Sequence, residues 1–123
     1  MIYRSEAALV LSKVGVEFLM NYIRNKEDSY FFRSYLIGIL GHAQHREDEE
    51  SEVELWYWNS STWFNEDIMP TLDYIFDNLN EKEYRFIWIE GDGKITNIGS
   101  LNAPFNLQLT YTIAICDGKE VCL

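Results

Sequence analysis

Apolar residues recur along this chain with two different periods, and the changes of period divide it into elements. Residues 6–11, EAALVL, are short, apolar and partly β-branched, which predicts a strand. Val14, Phe18 and Tyr22 then recur every four residues, and Leu19 and Ile23 widen the stripe, which predicts a helix over 13–25. Ser12 is placed to cap that helix, and Asn25 and Lys26 to end it. A single helix over 5–25 is the competing reading.

Residues 30–41, YFFRSYLIGILG, are apolar on both alternating sets, as a central strand requires. Residues 53–58, VELWYW, predict a second strand, leaving the acidic stretch before it as a long solvated hairpin connection. Over 66–79, Ile68, Leu72, Ile75, Phe76 and Leu79 fall on one helical face, and Glu66, Asp73 and Asp77 on the other. Asn65 is its candidate cap, and Pro70 falls early enough to be tolerated. Residues 84–90 predict a strand, Gly91-Asp92-Gly93-Lys94 a turn, and 95–98 the return strand. Residues 107–116 alternate most cleanly, with Leu107, Leu109, Tyr111, Ile113 and Ile115 on one face.

The predicted order is β-α-β-β-α-β with a β-β extension. That is an α+β fold in which two helices cover one face of a mostly antiparallel sheet, in a ferredoxin-like order if 6–11 is a strand. A length of 123 residues gives one domain spanning 1–123. An apolar fraction of 47% supplies a packed core despite the acidity.

Charge changes the picture more than composition does. The net charge is −10, and residues 47–92 alone hold fourteen acids against two bases, a net −12. Residues 1–46 carry +2, and the remainder is neutral. Such segregation predicts a polarised surface suited to a basic partner. It argues against direct binding of nucleic acid or anionic membranes, whose phosphates would be repelled. No apolar run is long enough for a membrane span. The absence of a signal-peptide pattern, with only Cys116 and Cys122 present, predicts a cytoplasmic setting and no disulfide framework.

Candidate chemistry is sparse. His42 and His45 sit beside acids, but a fixed metal site needs more ligands. Asp92 lies between glycines without the remaining ligands of a calcium loop. No nucleophile or phosphate-binding motif stands out, so neither enzyme activity, cofactor nor metal is expected.

The expected interaction residues are Glu47, Asp48, Glu49, Glu50, Glu52 and Glu54 in the acidic stretch, and Asp73 and Asp77 on the second helix. If the strand reached back to residue 50, Glu50, Glu52 and Glu54 would form a row spaced by about 6.6–6.8 Å, close to the phosphate spacing of a nucleic-acid strand. Trp56 and Trp58 are the expected apolar anchors, provided their rings are exposed. The expected function is a small non-enzymatic inhibitor of a basic protein, such as a nuclease or nucleic-acid-binding effector. Phage anti-defence (anti-CRISPR type) and immunity to a nuclease toxin fit equally, with nucleic-acid mimicry as one mechanism. The alternative is a small-molecule or regulatory binding module with a pocket lined by Trp88, Tyr84 or Tyr111. The chain is expected to be a monomer or a homodimer.

Overall fold

The computed structural model describes residues 6–25, 40–59, 69–101, 104–109 and 113–117. Its centre is β1, Glu6–Leu11, which pairs antiparallel on both sides. One neighbour is β3, Val53–Asn59, and the other is β4, Tyr84–Ile89. Outside β3 lies β2, Gln44–Asp48, and outside β4 lies β5, Ile95–Gly99. The five-stranded antiparallel order is therefore β2-β3-β1-β4-β5. Two further strands, β6 (Phe105–Leu109) and β7 (Ile113–Asp117), pair as a separate hairpin.

Helices α1, Lys13–Asn25, and α2, Met69–Asp77, lie on one face of the sheet. Ala7, Leu9, Leu11, Trp56, Trp58, Tyr84 and Phe86 meet Leu19 and Ile23 of α1 and Leu72, Ile75 and Phe76 of α2 there. Phe76 stacks on Tyr84 with ring centroids 4.5 Å apart, which places α2 over β4. On the opposite face, Ala8, Val10, Val53, Leu55 and Ile87 pack against Phe105, Leu107 and Ile113 of the β6–β7 hairpin. The sheet is thus sandwiched, and both side-chain sets of its inner strands are buried.

The fold is α+β, with helices α1 and α2 on one face of an antiparallel sheet. Residues 6–11 are a strand and 13–25 a helix, so the one-helix alternative does not hold. The Ser12 hydroxyl accepts from Gly15 N–H at 3.1 Å, the cap expected of it. Each helix joins two strands separated by one other strand, an order compatible with the β-α-β-β-α-β expectation.

Four expectations need correction. Leu40 and Gly41 are helical, so the strand expected over 30–41 does not run to its end, and β2 instead forms from the polar run Gln44–Asp48. The rest of 30–41 lies outside the described residues, as do Asn65, Glu66 and Ile68. As an edge strand, β2 needs no apolar face of its own, which hid it from the periodicity. Val14 is exposed, and the buried line of α1 is Gly15, Leu19 and Ile23, one residue round from the expected stripe. Gly15 permits this rotation: a Cβ there would lie 3.0 Å from the Glu83 carbonyl oxygen. The stretch 107–116 is also no single strand, since Leu107 pairs with Ile115 and Leu109 with Ile113 across a hairpin. Opposed residues share a face, so alternation alone cannot tell a straight strand from this doubled one.

Candidate functional site: the acidic end of the sheet

Register places the acids. Leu11, the last residue of β1, is opposite Glu54 of β3 and Tyr84 of β4. The β2–β3 turn over 49–52, the start of α1 and the 3-10 turn Glu81–Glu83 therefore lie at one end of the sheet. Ser12 N–H donates to the Glu83 carbonyl oxygen at 2.9 Å, and its hydroxyl donates to the Glu83 carboxylate, tying that end together. Ser100 N–H fastens the end of β5 to it through the Glu81 carbonyl oxygen at 2.8 Å. The last turn of α2, carrying Asp77, leads into the same corner. Strands β3 and β4 are two strand spacings apart, roughly 10 Å. Two groups of carboxylates flank the N-terminus of α1: Glu49, Glu50 and Glu52 on one side, and Asp77 and Glu81 on the other. All five are exposed.

Several of these acids have structural duties. Asp48 closes its turn by accepting from the backbone N–H of Ser51 at 2.9 Å and from the Ser51 hydroxyl. The hydroxyl and backbone bonds from Ser51 hold its carboxyl below the usual aspartate value. Glu52 reaches Lys13 Nζ at 3.1 Å, and the bond and charge of Glu52 raise the lysine above its ordinary value. Glu54 Oε1 is 2.8 Å from His45 Nε2, whose ring lies 5.1 Å from that of Trp56. Glu47 stands opposite Glu54 in the β2–β3 ladder, so Glu54 meets one like charge and one histidine.

The expected residues are therefore brought together only in part. Glu49, Glu50 and Glu52 gather at the turn, with Asp77 across the end of α1, while Asp73 lies one helical turn farther back on the exposed face of α2. The regular row of Glu50, Glu52 and Glu54 does not form. Strand β3 begins only at Val53, and Glu52 turns the backbone with φ 58°. Trp56 and Trp58 do not stand out as surface anchors, being 5% and 3% exposed within the helix-side core. Glu81 was missed by sequence reasoning. Its signal was the capped turn at Asn80, whose side-chain oxygen accepts from Lys82 N–H at 2.9 Å.

Of the residues named for the alternative pocket, Tyr84 is buried against Phe76, and Trp88 packs against the core. A cavity of about 570 Å³ lies beside the C-terminal half of α1, over His45 and Trp56. Tyr111 lies outside the described residues. Among the described residues no three His, Cys, Asp or Glu side chains converge as a metal site, and no helix is long and apolar enough to cross a membrane.

Comparison with protein-family models, curated proteins and solved structures finds no match to this chain.

Proposed function

We propose that this protein is a non-enzymatic inhibitor that docks its acidic end on the basic surface of a nucleic-acid-binding protein, such as a nuclease or other defence effector. The supporting observation is convergence: the β2–β3 turn and the α2-to-β4 connection bring Glu49, Glu50, Glu52, Asp77 and Glu81 to one end of the sheet. A paired set of carboxylates on a rigid sheet end favours fast, oriented encounter with a cationic groove. Competition for that groove needs no regular phosphate-like row, only negative charge on both sides of a fixed ridge. Exposed Val14, in the first turn of α1, supplies apolar contact between the two groups. The protein acts in the cytoplasm, where such partners meet nucleic acid, and it carries no catalytic role.

The test is a fourfold charge reversal, Glu49→Lys, Glu50→Lys, Asp77→Lys and Glu81→Lys. It spares Asp48, Glu52 and Glu54, whose side chains have partners within the fold. Affinity capture from the native host should retain a basic nucleic-acid-binding protein on the wild type at ~50 mM salt and lose it at ~300 mM. The folded fourfold variant should retain none at either salt. Equal retention by both proteins would remove the acidic end from consideration.

A further inference from the structure

The cavity beside α1 is separate from the acidic end and calls for a different ligand. The described residues lining it are Met20, Ile23, Arg24, Leu40, Gly41, Ala43, His45 and Trp56. Its volume of about 570 Å³ falls within the range of small-molecule sites, roughly 300–1,000 Å³. Its walls are mostly apolar and include Trp56, a residue only 5% exposed. Arg24 and His45 are the charged or titratable groups among these residues, and both are exposed at its rim. His45 is fixed by two contacts, Nε2 at 2.8 Å from Glu54 and its ring against Trp56. One wall is thereby rigid.

The chemistry of the rim selects the headgroup. A guanidinium only donates hydrogen bonds, and its planar fork matches a carboxylate in two-point contact. Its several N–H groups allow it to serve a ligand while keeping contacts within the protein. Two acids of the β2–β3 ladder, Glu47 and Glu54, share the face of His45 and Trp56, and Glu54 is engaged by His45. Arg24 lies in the last turn of α1, about 16 Å along the helix from Lys13 at the acidic end. That distance exceeds the screening length of about 8 Å at physiological salt, so the carboxylates of the β2–β3 turn repel an anion at Arg24 only weakly.

We propose that this cavity binds a small organic carboxylate, with an aromatic or branched aliphatic body against Trp56, Ile23 and Met20 and its carboxylate on Arg24. The site is independent of the proposed docking of a basic protein, and its test does not involve that partner.

Isothermal titration calorimetry with 1-naphthylacetate and its neutral amide, 1-naphthylacetamide, separates charge from shape. The two probes share one apolar body. The wild type should bind one 1-naphthylacetate per chain, about tenfold more tightly than the amide. Arg24→Gln should abolish that preference while leaving the amide affinity within about twofold. Ala43→Trp should fill the cavity and weaken both probes by at least about tenfold. Arg24 is exposed, so Arg24→Gln decides the matter even if Ala43→Trp fails to fold. Three results would overturn the proposal: no binding of the acetate at millimolar concentration, equal affinity for the two probes, or an undiminished preference in Arg24→Gln. The last would make Arg24 only a cation placed against the negative end of the α1 dipole.

Discussion

Glu52 takes the left-handed backbone conformation, φ 58°, that closes the β2–β3 turn and starts β3. A residue with a Cβ pays roughly 1–2 kcal/mol there, and asparagine tolerates the conformation better. Its ion pair with Lys13 joins side chains that are 55% and 60% exposed, and such pairs contribute little. Glu52→Asn should therefore leave stability unchanged or raise it by about 0.5 kcal/mol in urea denaturation, at the lower end of backbone relief. A loss above about 1 kcal/mol would show that the pair outweighs the strain. Glu6 has a different duty at the other end of the sheet. Its carboxylate accepts from Ile113 N–H at 2.8 Å and so ties the β6–β7 hairpin to β1. Tyr57 lies beside it, and burial, the Glu6 charge and a bond to Glu6 all push its phenol above the ordinary value. A raised acid contributes stability that is present below the unfolded value near 10 and is lost as pH climbs through the folded one. Tyr57 should titrate late in a tyrosine-ring NMR titration. Glu6→Gln should bring it part of the way back, since burial is the largest cause. A Tyr57 titration unchanged by Glu6→Gln would contradict the contact.

At the scale of elements, close backbone approach decides what periodicity cannot. Gly99 ends β5 with φ 84°, and a Cβ there would overlap the Tyr84 carbonyl oxygen and ring. Gly99→Ala must therefore displace β5 from the start of β4, where Ser100 bonds to Glu81. We expect a loss of about 1–3 kcal/mol in thermal or urea unfolding, the usual cost of a side chain in such a conformation. Gly93 also has a positive φ, but nothing crowds a Cβ there, so Gly93→Ala should cost less. A larger loss at Gly93 would contradict this ranking. Strands with inward apolar sets, β1, β3 and β4, were legible because burial writes itself into residue type. The edge strand β2 was not, because pairing with β3 and not an apolar face holds it. The division of 107–116 into two paired strands, β6 and β7, is hidden because alternation continues through both. The burial of Trp56 and Trp58 stays open in the sequence for a related reason: Val53, Leu55 and Tyr57 form one set of β3 and Trp56 and Trp58 the other, and alternation does not say whether one set or both are covered. The β6–β7 hairpin covers the first set and the helices cover the second.

For the whole molecule, the acidic excess of residues 47–92 was visible in the sequence, but its shape was not. Acids far apart in the chain meet because β3 and β4 both pair with β1 in the same register at Leu11. That long-range pairing has no local signature, so neither Glu81 nor the distance between the two groups was readable beforehand. The fold also sorts the acids by duty: Asp48, Glu54 and Glu83 are tied into the structure, whereas Glu49, Glu50, Asp77 and Glu81 are exposed at its end. The central claim is that this end occupies a groove meant for nucleic acid. The most direct measurement is competition: the basic partner captured from the host is loaded with labelled duplex DNA, and fluorescence anisotropy follows release as this protein is added. Wild-type protein should displace the DNA in proportion to its binding, with potency falling steeply as salt rises, and the fourfold lysine variant should displace none. Simultaneous binding of DNA and wild-type protein, or equal displacement by the lysine variant, would contradict the account.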